Sequence, residues 1–88
     1  MNEVTKWEDL SFIISSEYRK KILSGLENKS TPSVISKSTG INKTHVSRAL
    51  KELESKGMIK CLTPNAKKGK IYLISDYGKE MLKEADKL

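Results

Sequence analysis

The fold is decided by residues 31–57, which read TPSVISKSTGINKTHVSRALKELESKG. Thr31 followed by Pro32 predicts the start of a helix, because threonine accepts hydrogen bonds from free backbone N–H groups and proline fits the first helical position. This helix is expected to be short, over residues 32–38, because Gly40 follows it and glycine readily adopts the left-handed backbone of a tight turn. A longer helix comes next, so the stretch predicts a helix, a turn and a helix.

The longer helix is predicted over residues 43–56, with Asn42 as its N-cap and Gly57 as its stop. Its apolar positions, which recur at helical spacing and are expected to be buried, are Val46, Ala49, Leu50 and Leu53. The opposite side carries small or donor-rich side chains, namely Lys43, Thr44, His45, Ser47, Arg48 and Lys51. A helix that is anchored on one side and rich in hydrogen-bond donors on the other can enter the major groove of duplex DNA. Plain solvation of this outer side is the alternative.

The residues after this helix, 58–74, predict a β-hairpin. Residues 58–62 and 70–74 are rich in Ile, Leu and Tyr and are typical of strands, and residues 63–69 contain Pro, Asn and Gly as turn formers. Three cations lie on the loop and its edge: Lys67, Lys68 and Lys70. Lysines beside a DNA groove would add affinity for phosphates without reading sequence. A purely solubilising loop is the alternative.

Helices are also predicted on both sides of this unit. Apolar residues recur at helical spacing over residues 7–14, with 1–5 frayed ahead of them, and again over 17–26. Ser75 or Asp76 caps a last helix, over 76–87. The side chains expected to face inward are Trp7, Leu10, Ile13 and Ile14 in the first helix, Tyr18, Ile22, Leu23 and Leu26 in the second, Val34 and Ile35 in the short helix, and Tyr77, Met81, Leu82, Ala85 and Leu88 in the last. In the second helix Arg19, Lys20 and Lys21 are expected to face solvent.

The whole pattern predicts one α+β domain over residues 1–88, mainly helical. Its parts are a helix-turn-helix at about 31–57, a two-stranded wing at 58–74 and a C-terminal helix at 76–87. The charge distribution agrees with a directed surface, because residues 18–70 carry thirteen Lys or Arg against three acids, whereas the net charge of the whole chain is only +6.

Composition excludes several classes of protein. No apolar run approaches the roughly 20 residues that cross a bilayer, and the N-terminus lacks the layout of a signal peptide, so a cytoplasmic protein without a membrane partner is expected. The single Cys61 fits a reducing compartment and is expected to be a small buried apolar residue. Together with His45 it cannot make a zinc site of three or four ligands. No phosphate loop or nucleophile elbow is present, so we predict no enzyme, no cofactor and no small-molecule ligand.

The sequence resembles winged helix-turn-helix transcription regulators of the MarR and ArsR type, especially their small archaeal members. The most specific segment is 46–59, which is similar to V-S-R-x-L-x-x-L-E-x-x-G-L-I. Residues 16–23 resemble an opening R-x-x-I-L helix, residues 35–41 resemble I-A-x-x-T-G-I, and residues 72–78 resemble Y-x-L-T-x-x-G. The resemblance implies sequence-selective binding of double-stranded DNA, usually as a homodimer on an inverted repeat. In this chain a dimer would have to use the N- and C-terminal helices.

The wing differs from the family pattern at two positions. The family's wing often carries Asp and Arg where this chain has Asn65 and Lys67. Because Arg suits a narrow minor groove better than Lys, we expect the wing to read the minor groove less specifically than the family's wings do. The alternative function is a winged-helix interaction module that docks an acidic protein partner. The predicted DNA-binding residues are Asn42, Lys43, Thr44, His45, Ser47, Arg48, Lys51, Lys67, Lys68 and Lys70.

Overall fold

The computed structural model describes residues 3–88, with side chains from residue 6 onward. This part of the chain forms five helices and one antiparallel pair of strands. The elements are α1 (Glu3–Ile14), α2 (Glu17–Gly25), α3 (Pro32–Thr39), α4 (Lys43–Ser55), β1 (Ile59–Cys61), β2 (Tyr72–Ile74) and α5 (Asp76–Asp86). The predicted order of elements and the α+β winged-helix class are confirmed. The first helix begins earlier than predicted, so fraying up to residue 5 is wrong for residues 3–5, while residues 1 and 2 lie outside the described residues.

The helix starts are set by side-chain caps at the predicted positions. The Thr31 hydroxyl accepts the Val34 N–H at the start of α3, and the Ser75 hydroxyl accepts the Gly78 N–H at the start of α5. Each of these bonds satisfies one of the backbone donors that a helix start leaves free. The turn between α3 and α4 uses Gly40 at φ 75°, as the sequence predicts.

The hydrophobic core lies where the five helices and the small sheet meet. From α4 it takes the four predicted residues, Val46, Ala49, Leu50 and Leu53. From the rest of the chain it takes Leu10, Ile13, Ile22, Leu23, Leu26, Ile35, Ile41, Met58, Ile59, Ile74, Met81, Leu82 and Ala85. One face of α4 is therefore fixed in the protein, and its opposite face is left on the surface.

Several residues predicted to face inward are exposed instead: Trp7, Ile14, Tyr18, Val34 and Leu88. Neighbouring residues on a helix point about 100° apart, so Val34 turns outward while Ile35 is buried. Trp7 and Ile14 lie beyond the edge of the stripe formed by Leu10 and Ile13. Hydrophobic spacing thus identified the buried stripes but overestimated their width. Cys61, expected to be buried, is half-buried at the end of β1.

The wing is built on a short sheet whose strands are shorter than predicted. Ile59 pairs with Ile74 and Cys61 with Tyr72. Ser30, ahead of α3, adds a bridge on the other side of Tyr72. Beyond Cys61 one more backbone bond joins the strands, from the Leu62 N–H to the Ile71 carbonyl at 2.7 Å. The regular pairing then ends, because the Ile71 N–H donates to the Thr63 hydroxyl at 3.0 Å rather than to a backbone carbonyl. A side-chain bond therefore begins the loop where a longer strand was expected.

Candidate nucleic-acid interface

The exposed face of α4 is divided into rows by the helical repeat. At about 100° per residue, Lys43, Ser47 and Lys51 form one row, and His45 and Glu52 lie on the other side of the helix. Thr44 and Arg48 lie between them and point away from the core. All six predicted contact residues of α4 are exposed. The predicted face is thus present, but its two edges adjoin different parts of the fold.

The edge beside the wing forms an open cleft of about 650 Å³. Five lysines from α4 and the wing line this cleft, together with Ser47 and the start of α3. The lysines are Lys43, Lys51, Lys67, Lys68 and Lys70, and no acidic side chain is among the residues that line the cleft in the described chain. A concave surface lined by charge of one sign concentrates anions, so the cleft suits a run of phosphates.

The wing is held beside α4 by backbone hydrogen bonds at its base. The Ile74 N–H donates to the Leu26 carbonyl at 2.8 Å, and the Ser75 N–H donates to the Met58 carbonyl at 2.9 Å. The Ser75 hydroxyl also donates to the Gly57 carbonyl at 2.6 Å. These bonds join both ends of the wing to the rest of the fold, so its lysines are presented from a fixed base.

Tyr72 is a cleft residue that is not among the predicted DNA-binding residues. It lies on β2, is half-buried and lines the cleft beside the lysines. Burial, followed by the nearby Cys61 and Glu54, raises the pKa of its phenol above the ordinary value. A phenol is neutral near pH 7 even at its ordinary pKa, and this shift extends the neutral range upward, so Tyr72 places no negative charge among the lysines. Strand alternation alone carries no signal for this role, because the cleft exists only once the wing folds against α4.

The opposite edge of α4 adjoins the start of α2. The ring of His45 lies against the ring of Tyr18, with centroids 5.3 Å apart and planes inclined by 35°. Arg48 lines a small cavity with both residues. His45 and Arg48 thus lie apart from the wing lysines. The predicted site residues form two groups rather than one.

Asn42 has a structural role that limits its use as a ligand. Its side-chain oxygen accepts the Thr44 N–H at 2.8 Å and so caps α4, as predicted. Because the oxygen is used in the cap, only the amide NH₂ group of Asn42 could make the predicted contact with DNA. Asn42 is exposed, so this group faces solvent at the end of the helix.

The C-terminal half of α4 is anchored by Arg19, although the sequence predicts that this side chain faces solvent. Its guanidinium donates to Glu52 at 3.0 Å, to the Phe12 carbonyl at 2.9 Å and to the Ser15 hydroxyl at 3.1 Å. It also lies 3.9 Å from the centre of the Phe12 ring. Arg19 therefore joins α1, α2 and α4 through one planar group. Its partners are distant in sequence, so no local pattern indicated them.

A second polar anchor joins α1 to α5 and to Lys56, the residue that caps the end of α4. Asp9 is buried, its carboxylate accepts a hydrogen bond from the Tyr77 hydroxyl, and Lys56 lies 3.7 Å from the same carboxylate. Burial and then this hydrogen bond raise the pKa of Tyr77 well above the ordinary tyrosine value. The charge of Asp9 is thus compensated from two sides, as a buried carboxylate requires.

Within residues 3–88 no group of His, Cys, Asp and Glu side chains is arranged to hold a metal ion. In the same part of the chain, no helix has the length and apolar character needed to cross a membrane.

Comparisons with known proteins agree with this geometry. No curated protein sequence matches the chain. Similar solved structures include a MarR mutant from E. coli complexed with operator DNA, at 23% identity and TM-score 0.73, covering 94% of this chain and 64% of that chain. BldR from Sulfolobus solfataricus matches at 18% identity and TM-score 0.73, covering 91% and 63%. A ZitR mutant from Lactococcus lactis matches at 24% identity and TM-score 0.70, covering 82% and 51%.

These likenesses establish that the fold is that of the MarR-type regulators. The chain spans only 51% and 65% of the length of two further structures of this type. Residues 16–60, just over half of the chain, match the model of the winged helix-turn-helix DNA-binding family. This segment includes α2, α3, the turn and α4, which carry the anchoring and the exposed face described above. The chain therefore belongs to the winged helix-turn-helix DNA-binding family.

Proposed function

We propose that this chain is a transcription regulator that binds double-stranded DNA with α4 in the major groove and the wing against the backbone. The observation that carries the proposal is the cleft, where five lysines from two separate elements surround one open groove beside the exposed face of α4. Lysines that only kept the surface soluble would not need to meet at one groove. Here they come from α4 and from a loop some twenty residues later in the chain, and they line the same cleft. Phosphates on the edge of a major groove offer the matching row of negative charges.

The proposed contacts follow the rows of α4. Thr44, Arg48, His45 and Ser47 face base edges or the phosphates beside them, and Asn42 supports the start of the helix. The lysines of the cleft contact the backbone: Lys43, Lys51, Lys67, Lys68 and Lys70. Because lysine contacts phosphate as a point charge, this second set supplies affinity rather than sequence selectivity.

We propose further that residues 31–57, 58–74 and 76–87 act as parts of one DNA-binding domain over 1–88. The family is one of DNA-binding proteins and not of enzymes, which supports a binding role without catalysis. The MarR structure complexed with operator DNA supports the same use of a shared fold. A regulator of this kind would act in the cytoplasm, where the DNA and a reduced Cys61 are found together.

We also propose that two copies pair through α1 and α5, as an inverted repeat in DNA would require. Met81, Leu82 and Ala85 are buried inside the single chain and are not available for this pairing. Trp7 and Leu88 remain, with 64% and 70% of their surfaces exposed. A mass measurement at tens of micromolar protein tests the pairing, and a purely monomeric result would overturn it.

The DNA-binding proposal is tested by fluorescence anisotropy of a labelled mixed-sequence duplex at several salt concentrations. We expect the logarithm of affinity to fall steeply with the logarithm of salt, with a slope of about −0.9 for each phosphate contacted. Lys68→Ala should weaken binding to every sequence alike and flatten this slope by about one. Lys83→Ala is the matched control, because Lys83 is an exposed lysine of α5 outside the cleft.

Absence of binding at low salt would overturn the proposal. Equal effects of Lys68→Ala and Lys83→Ala would also overturn the assignment of the cleft, because the affinity would then follow total charge rather than position. In either case, the alternative partner for the same lysines is an acidic protein, and titration with such a protein would test it.

A further inference from the structure

A second polar cavity lies on the side of α4 that faces away from the wing. It has a volume of about 260 Å³ and lies between α4 and the start of α2. Its lining consists of Ser16, Tyr18, Arg19, His45, Arg48, Ala49 and Glu52. None of the wing lysines reaches it, so its chemistry is separate from that of the cleft.

The charges in this cavity are not balanced. Arg19 and Glu52 form an ion pair at 3.0 Å and neutralise each other. Arg48 is exposed and takes part in no salt bridge within the described residues. The cavity therefore presents one guanidinium whose charge is unmatched, together with the His45 imidazole and the Tyr18 hydroxyl. These are three donor groups at one opening.

Tyr18 lies at the surface beside the cavity and not in the hydrophobic core. Its side chain is 43% exposed, although it belongs to a helix whose inner face is fully buried. Its ring lies 5.3 Å from the ring of His45, centre to centre. This contact places the imidazole beside the phenol ring at the lining of the cavity.

The position of the cavity matches the geometry of a major groove. A helix in this groove, which is about 12 Å wide, has a phosphate backbone on each side. If the wing cleft holds one strand, the other edge of α4 meets the opposite strand. Resting on the DNA-binding function proposed above, we propose that Tyr18, His45 and Arg48 form a phosphate site for the strand opposite the wing, and that His45 takes up a proton when the phosphate binds.

This assignment separates the roles of the residues on α4. Arg48 and His45 bind backbone phosphate, and Thr44, which lies between the two edges, is left as the residue directed at the base pairs. Both phosphate strands are then held, one by the lysines of the cleft and one by a tyrosine, a histidine and an arginine. Two-sided contact fixes the register of a helix in the groove, which lysines on one side alone cannot do.

Proton uptake follows from the groups that surround His45. These are Tyr18 and Arg19 from α2, and Arg48 and Glu52 from α4 itself. Among these side-chain types only an imidazole ordinarily changes its charge between pH 6 and pH 8. A phosphate favours the charged imidazole, so binding is expected to strengthen as the pH falls and to weaken as it rises.

The test measures affinity for a labelled mixed-sequence duplex from about pH 8 to about pH 6 at constant ionic strength. We expect the affinity of the parent protein to rise about fivefold over this range. His45→Gln, which keeps a polar side chain without the titration, should lose most of this rise. Lys68→Ala is the matched control, because it should lower the affinity at each pH and keep the rise.

Two further variants test the other members of the site. Tyr18→Phe keeps the ring against His45 but removes the hydroxyl, so it should weaken binding and keep the pH dependence. Arg48→Gln should weaken binding to all sequences alike and flatten the salt dependence by about one. Circular dichroism of each variant confirms that it is folded.

The outcomes distinguish this inference from the proposed function. An equal rise with falling pH in His45→Gln and in the parent would overturn the phosphate site while leaving DNA binding in place. Loss of affinity for only one preferred sequence in Arg48→Gln would also overturn it, because Arg48 would then read a base. Absence of binding by the parent at every pH would overturn both.

Discussion

The replacement of Gly78 by alanine tests how the wing is joined to the rest of the fold. Gly78 is buried in the first turn of α5. A Cβ atom there would overlap the carbonyl oxygen of Met58 and would lie 2.8 Å from Cγ1 of Ile74. The neighbour is backbone at the start of the wing and cannot move aside as the end of a flexible side chain can. The Met58 carbonyl also accepts the Ser75 N–H, so any displacement weakens that bond.

The expected cost follows from three contributions. Overpacking a filled core costs about 1–3 kcal/mol, and weakening one backbone hydrogen bond costs about 1 kcal/mol. Alanine in place of glycine in a helix offsets about 1 kcal/mol of this. The net expectation for Gly78→Ala is a loss of about 1–3 kcal/mol in the free energy of unfolding. For a chain of this size, that loss corresponds to a fall of about 5–20 °C in Tm.

The assay is equilibrium unfolding in urea, followed by far-UV circular dichroism, with a thermal scan beside it. Gly25→Ala is the matched control, since Gly25 is also helical and its added Cβ would meet only the end of the Ile35 side chain, at 3.0 Å. That side chain can shift, so the control should change stability by less than about 1 kcal/mol. If Gly78→Ala proved as stable as the parent, the close contact between α5 and the base of the wing would be refuted.

Three further predictions concern the anchors of α4 and its outer face. Arg19→Lys should lower the free energy of unfolding in urea by about 1–2 kcal/mol, because lysine cannot make the bonds of a planar guanidinium; an unchanged value would contradict the anchor. Tyr77 has a raised pKa, so its contribution to stability is complete below a pH of about 10 and is lost as the pH rises further. Tyr77→Phe should therefore flatten the fall in unfolding free energy between about pH 10 and about pH 12, and parallel curves would contradict it. Thr44→Ala should lower affinity for a selected site by about 1 kcal/mol and spare mixed-sequence duplex, whereas equal losses on both would exclude base reading.

The parts of the fold that could be predicted from sequence are those with local causes. The cap at Thr31, the turn at Gly40 and the buried row of α4 each depend on residues a few positions apart. The exposure of Trp7 and Tyr18 could not be predicted in this way. Whether a residue at the edge of an apolar stripe is covered depends on which element lies beside it, and this is a matter of tertiary contacts.

The same distinction applies to the candidate site. The sequence indicates which side chains lie on the outer side of α4 and which cations lie on the wing. It does not indicate that Lys51 adjoins the wing while His45 adjoins Tyr18, because that division depends on where the hairpin and α2 lie relative to α4. The grouping of the site residues into two edges is therefore information that only the folded chain contains.

The two polar anchors explain how a helix with an exposed cationic face can keep its orientation. The lysines near the start of α4 repel those of the wing, and this repulsion favours moving that end of the helix away from the cleft. The buried apolar row of α4 opposes mainly those movements that would lift the helix away from the core, perpendicular to its own axis. Arg19 bound to Glu52, and Asp9 beside Lys56, hold the far end of α4 to α1 and α2 at specific distances. Rotation and sliding of α4 are thereby opposed at the end that lies away from the proposed DNA contacts. The charged face can then stay assembled before a polyanion arrives to neutralise it.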